Sequence, residues 1–240
     1  ACQQGPSMTI VYQLVAPSGG QITEADLEAT AAVMAARGGS IRQDMGFIVD
    51  VAKEPPDRLV VTLRGGSDWD FARAAATLDR RGVLSFVLLP PEVYGYVDVA
   101  RGGVIAGTTA RPAPGSTIDP GLPVQFGSED LDRGAILAAY VSPIGWVVEF
   151  ALQPDAAASF DVWTGQHVGD FFAVVLDGTV VEAPYIQAAS TGGKGRLGLG
   201  IGGGLGEVPA RDLATILRSG PLPVSLQVVS YSVSPTPSEG

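Results

Sequence analysis

Residues 165–226 read GQHVGDFFAVVLDGTVVEAPYIQAASTGGKGRLGLGIGGGLGEVPARDLATILRSGPLPVSL, and the rest of the chain is read outward from them. Two apolar runs, 171–176 and 179–183, flank Asp177-Gly178. Asp-Gly between β-forming residues marks a two-residue hairpin, because a type I′ turn needs positive φ at both central positions. Pro184 has no N–H to give and ends the pairing of the second strand. A glycine-rich segment follows over 192–206, with one short strand expected around 197–201. Pro209 opens the last helix, Leu213, Ile216 and Leu217 supply its apolar stripe, and Gly220 stops it. Gly220-Pro221-Leu222-Pro223 leads to a closing strand over 224–233, whose return to the first sheet is left open.

Upstream, 8–15 is a β-rich run broken by Pro17-Ser18-Gly19-Gly20. Thr23 caps a helix over 24–37 with Asp26 three residues on, the spacing of a capping box, and Gly38-Gly39 ends it. Strands follow over 46–52 and 58–63. Ser67 or Asp68 caps a second helix to 81, with Phe71, Ala75 and Leu78 facing inward. Gly82 stops it, and 83–89 is a wholly apolar strand. The order β-α-β-β-α-β is the split βαβ, or ferredoxin-like, arrangement. The expected class is therefore α+β. A tether covers 1–7, a ferredoxin-like base 8–92, a linker rich in turn formers 93–123, a smaller α+β head 124–233, and a tail 234–240. Within the head, strands are expected over 135–141 and 146–152, and a helix from Pro154 to Trp163.

The hairpin stretch resembles the first large periplasmic domain of the SecD/SecDF protein-export family. The matching residues are Val168-Gly169, 173–177 with Gly178, Val181, Ala183-Pro184, Ile186, Gly192-Gly193, Ala210, Leu213-Ala214, Leu217, Arg218-Ser219-Gly220 and Leu222-Pro223. The SEDLD of 128–132 resembles the start of that family's head subdomain. The resemblance is close over about 60 residues, looser upstream, and implies a ferredoxin-like base. SecD chains carry Asp-Leu-x-Gly-Gly after a first membrane helix, where this sequence has MTIVYQLV. The resemblance implies an extracytoplasmic, non-enzymatic role without cofactor: holding emerging polypeptide while membrane helices draw on the proton gradient. Expected partners are unfolded secretory polypeptide, Sec translocon subunits, or both, with the chain itself a monomer.

Composition narrows the classes. The chain has 240 residues, 46% hydrophobic and 17% charged, which fits a globular fold of one large or two small domains. A net charge of −10 argues against a nucleic-acid partner and against anionic headgroups, since phosphate contact needs clustered Lys and Arg. No run reaches the ~18 apolar residues of a membrane span. Cys2 is the sole cysteine and has no internal disulfide partner. Ala1-Cys2 before polar Gln3-Gln4-Gly5-Pro6-Ser7 reads either as a lipoprotein cleavage site with lipid on Cys2 or as a chance terminal cysteine. Any membrane association is expected through that anchor.

Candidate chemistry is sparse. His167 is the sole histidine, no G-x-S-x-G elbow exists, and no metal-ligand spacing is present. The G-x-G-x-x-G at 193–198 precedes more glycine rather than a helix, so it reads as strand and loop. Asp68/Asp70 and Glu129/Asp130/Asp132 read as caps or surface before they read as an acid–base pair. Trp69, Trp146, Trp163, Phe160, Phe171, Phe172 and Tyr185 form either core or a docking patch, with Trp146, Trp163, Phe172 and Tyr185 the candidate polypeptide contacts. Asp177, Gly178, Pro184, Gly192, Gly193, Gly220, Leu222 and Pro223 are the turn and loop residues the family resemblance singles out. Three readings stand: a free-standing or excised SecD-like module, an envelope lipoprotein of structural or assembly role that keeps the fold, and a carboxylate-dependent hydrolase.

Overall fold

A computed structural model of the chain describes residues 5–17, 20–65, 68–98, 100–198 and 205–234, with backbone alone at 68 and 69. In chain order the elements are β1 (Ser7–Val15), α1 (Glu24–Met45), β2 (Ile48–Glu54), β3 (Arg58–Arg64), α2 (Asp68–Asp79), β4 (Leu84–Leu88), α3 (Pro91–Tyr94), β5 (Tyr96–Asp98) and β6 (Gly103–Ile105). There follow β7 (Val124–Gly127), β8 (Leu137–Val141), β9 (Gly145–Ala151), α4 (Pro154–Gln166), β10 (Phe172–Leu176), β11 (Thr179–Glu182), β12 (Lys194–Leu197), α5 (Glu207–Ser219) and β13 (Ser225–Ser234). The fold is mixed α+β, with several antiparallel sheets. The chain divides into two compact units, one up to Arg81 and again from Ser219, the other Gly82–Arg218. The crossings thus fall at 81/82 and 218/219, not at the 92/93 and 123/124 expected from sequence.

In the first unit the sheet order is β13-β1-β3-β2, every neighbour antiparallel. Alternation puts Ile10, Tyr12 and Leu14 of β1 and Leu59, Val61 and Leu63 of β3 on one face, where they pack with Met34 and Ile41 of α1 and Phe71 and Leu78 of α2. The capping box forms: the Asp26 N–H donates to Thr23 Oγ1 at 3.2 Å, and the Thr23 N–H donates to Asp26 Oδ2 at 2.9 Å.

Two expectations fail here. The helix does not stop at Gly38-Gly39 but runs to Met45, where Gly46 (φ 76°) caps it. Gly38 serves packing instead. A Cβ there would lie 2.8 Å from Val49 Cβ, so its absence lets α1 lie directly on β2. The second failure is the fourth strand. The 83–89 run, placed in the base by its order, pairs with β10 and β7 in the second unit, and β13 supplies the fourth strand of the first sheet. The reason is burial on both faces. Leu84 and Phe86 enter one core and Val87 and Leu89 another, and a continuous apolar run suits a sheet covered on both sides. β1 and β3 alternate buried with part-exposed positions, as a sheet packed on one face requires.

The second unit holds a sheet of order β11-β10-β4-β7, a three-stranded sheet β12-β9-β8, and the small β5-β6 pair. The expected linker 93–123 therefore contains β5, β6 and part of α3, and is irregular from 106 onward. Even there the chain is tied down: the Gly115 N–H donates to Val180 O and the Val180 N–H to Ser116 O, both at 2.8 Å. A strand forms at Lys194–Leu197 and shares Leu197 with the 197–201 expected, of which 199–201 lie outside the described residues; α4 continues three residues past Trp163.

Candidate functional site

The Asp-Gly hairpin forms as two antiparallel strands, Leu176 opposite Thr179 and Val174 opposite Glu182. Asp177 (φ 53°) and Gly178 (φ 79°) both take the left-handed conformation that a type I′ turn demands. Asp177 does more than turn the chain. Its carboxylate accepts from the Val83 N–H at 2.8 Å and the Gly82 N–H at 3.1 Å, while its own N–H donates to Val83 O at 2.9 Å. The hairpin tip thereby fixes where β4 begins.

A second clamp holds the glycine-rich segment. Asp161 on α4 accepts from the Gly192 N–H at 2.7 Å and the Gly193 N–H at 3.0 Å. These bonds favour the ionised form and hold its carboxyl below the ordinary value. A third carboxylate, Glu182 on β11, accepts from the Gly198 N–H at 3.1 Å. Burial outweighs that bond and pushes it up to about 7. Neither Asp161 nor Glu182 stood out in the sequence, because their partners lie 31 and 16 residues away.

Glu182 lines a cleft of about 370 Å³. Pro112 and Pro114 contribute to its lining from the irregular segment, and Pro184 and Tyr185 from the residues after β11. Arg111 also lines it, its guanidinium 5.5 Å from the centroid of Phe171. The cleft is mostly apolar, and Glu182 is the one carboxylate among its lining residues. The β11 ladder ends at Glu182, and Pro184 still accepts the Phe172 N–H through its carbonyl at 3.1 Å.

Of the four candidate contact aromatics, three flank one core and Tyr185 packs against another. Trp163 and Phe172 meet at 5.9 Å between ring centroids and pack on the core that holds Phe86, Phe126 and Phe160. Trp146 flanks the same core but touches Tyr140 and the Arg211 guanidinium. Tyr185 packs with Phe171 in the other core. Aromatic content alone cannot separate core from surface; Trp146, Trp163 and Phe172 are partly buried at the rim of their core.

The remaining candidates are structural. His167 follows α4 and its Nδ1 lies 2.9 Å from Asp170 Oδ2. Asp130 accepts from the Gly127 N–H and Asp132 from the Gly134 N–H, at 2.8 and 3.0 Å, so both act as caps. Lys194 and Arg196 lie on β12, where Arg196 pairs with Glu149 at 2.9 Å. In the first unit Gly220 gives its carbonyl to Arg37 at 3.0 Å, and the buried Leu222 donates its N–H to Arg81 O at 2.8 Å; Pro223 is exposed. Cys2, Ser67, residues 199–204 and 235–240, and the side chains of Asp68 and Trp69 lie outside the described residues. Among the described residues, no group of three or more metal-ligating side chains is placed to hold an ion, and no helix is long and apolar enough to cross a membrane.

Comparison with known proteins points to one region of one family. The family model described as SecDF, P1 head subdomain, matches residues 137–224. The SecD translocase subunit of Acetobacter pasteurianus is 33% identical over 189 residues, which cover 78% of this chain and 34% of that protein. A solved SecDF in its super-membrane-facing form superposes at a TM-score of 0.73 with 26% identity, covering 96% of this chain and 30% of that one. The chain corresponds to the P1 head-and-base region of SecD and SecDF proteins. A second solved SecDF chain, described as a membrane component that enhances protein export, matches at 0.69 over 92% of this chain and 98% of its own length. The SecDF of Thermus thermophilus is 32% identical over 188 residues. The chain spans about a third or less of these curated relatives, 34% and 24%. The region to which it corresponds in SecDF is extracytoplasmic.

Proposed function

We propose that this chain is a non-enzymatic, export-associated SecD-type module that binds unfolded polypeptide or docks on protein-export machinery, without proton coupling of its own. The observation that carries the reading is the near-complete superposition on SecDF, 96% of the chain at a TM-score of 0.73. The site geometry agrees with it. The carboxylates are spent on backbone N–H groups of turns, and the cleft beside Glu182 is apolar and shallow in chemistry. Extended polypeptide is held largely through main-chain hydrogen bonds, so weak and sequence-tolerant binding is expected.

The base of this module is a ferredoxin-like βαββαβ sheet, with β13 in the fourth place and residues 82–218 forming the head. The strand order β13-β1-β3-β2, antiparallel throughout, supports that assignment. The test is titration with a secretory protein kept unfolded, joined to a pull-down. Saturable micromolar binding supports capture, and recovery of translocon subunits supports docking. No interaction at high micromolar concentration together with no recovered translocon subunit contradicts both.

A further inference from the structure

Sheet edges are where a folded protein meets another backbone, and natural edges are blunted by charge, bulges, shortness or cover. Most edges in this chain are so blunted. β2 carries Asp50, Lys53 and Glu54. β13 is bulged, two residues after Val228 falling opposite the single step from Tyr12 to Val11. β11 is covered by Gly115 and Ser116. β7 has four residues and a register shift opposite Phe86 and Val87. β12 carries Lys194 and Arg196, and β5 and β6 have three residues each.

β8 has none of these devices. Its sequence, Leu137-Ala138-Ala139-Tyr140-Val141, holds no charge and no proline. It pairs with β9 in unbroken register over all five residues, and no described segment hydrogen-bonds to its other side. Leu137 and Tyr140 are 55% and 65% exposed. Tyr140 stands edge-on to its cross-strand partner Trp146 at 6.1 Å, and the Arg211 guanidinium lies 5.3 Å from the Trp146 ring. Among the described residues the edge is thus a free row of N–H and C=O groups beside an aromatic platform.

We propose that extended polypeptide adds to the outer edge of β8 as a further strand of the β12-β9-β8 sheet. This rests on the reading of the chain as a polypeptide-binding module and names the place. A row of unpaired backbone groups without charge is complementary to one thing, another extended backbone. Every second residue of β8 points its N–H and C=O away from β9, so roughly four to six hydrogen bonds are available. Tyr140 and Leu137 lie on opposite faces of the sheet, since their positions differ by an odd number. An incoming strand therefore meets an aromatic rim on one face and an aliphatic side chain on the other. Selectivity follows for β-branched and aromatic residues over charged ones, with no fixed sequence.

The experiment uses the full chain and a fluorescein-labelled seven-residue peptide of alternating threonine and valine. Three peptides are compared: unmodified, N-methylated at alternate amides, and N-methylated at every amide. Strand addition predicts that the alternate peptide, which keeps one competent edge, binds within about threefold of the unmodified one, and that the fully methylated peptide binds at least tenfold more weakly. Ala139→Lys, an edge lysine, is expected to weaken binding at least tenfold, whereas Val229→Lys on β13 leaves it unchanged. Amide exchange on the unaltered chain guards against a misfolded variant: the peptide should slow exchange at alternate residues of 137–141. Equal binding of all three peptides, or unchanged exchange in β8 at saturation, overturns the β8 assignment while leaving polypeptide binding in place. Failure of the unfolded secretory protein itself to bind overturns both.

Discussion

The adjacent glycines of α1 should respond to alanine in opposite directions. Both lie in the interior of a helix of 22 residues, where Gly→Ala contributes about 0.8–1.0 kcal/mol through propensity, partly by restricting the unfolded chain. At Gly39 an added Cβ meets nothing within 4 Å, so Gly39→Ala should stabilise by about 0.5–1 kcal/mol. At Gly38 the same atom would sit 2.8 Å from Val49 Cβ and 2.9 Å from Val49 Cγ1. Rotating the valine cannot relieve the first contact, because its Cβ moves only with the backbone of β2. Carbon atoms pack best at ~3.5–4.0 Å, so helix and strand must separate by roughly 1 Å locally. Overpacking of that kind costs about 1–3 kcal/mol, more than propensity returns. Gly38→Ala should therefore destabilise by about 1 kcal/mol, and the two variants should differ by about 2 kcal/mol. Urea denaturation with unchanged m-values measures this. Gly38→Ala at or above the parent's stability would refute the claim that this glycine exists for contact with β2.

Arg37 is fully buried and donates to Leu78 O at 2.8 Å, Gly220 O at 3.0 Å, Ser219 Oγ at 3.1 Å and Arg80 O. Arg37→Ala strands those acceptors and should cost about 3–5 kcal/mol in urea denaturation, with Arg37→Lys intermediate because an ammonium lacks the planar fork. Asp177→Gly keeps the positive φ of the turn but removes the acceptor for Gly82 and Val83; a loss of about 1–3 kcal/mol isolates the clamp from the turn. Glu182 titrates at about 7 in the folded chain against 4.5 when exposed. Between those values the folded state binds more protons than the unfolded, so this group's contribution is full below 4.5 and is lost as pH rises through 7. Glu182→Gln should flatten that slope and exceed the parent by about 3 kcal/mol at pH 8, read from urea midpoints across pH 5–8.

What could be read from sequence was local. Asp177-Gly178 and Thr23 with Asp26 specify their turn and cap within four residues, and the structure has both. Gly38-Gly39 was misread because a glycine needed for close contact and one needed for positive φ look alike until the neighbour, Val49, is in place. The placement of β4 was misread for a non-local reason. Element order says which strands follow one another, whereas burial on both faces decides which sheet can take an all-apolar strand. The clamps at Asp161 and Glu182 join residues far apart in the chain, and neither spacing forms a known motif. The open edge of β8 depends on what fails to cover it, and only topology reveals that.

The central claim is that this chain recognises polypeptide as backbone, not as folded surface. It is tested most directly by titrating one disulfide-free secretory protein in two states, native and destabilised to remain unfolded, at equal concentration. The account predicts saturable micromolar binding of the unfolded state with no detectable binding of the native one. Equal binding of both states, or of neither, would contradict it.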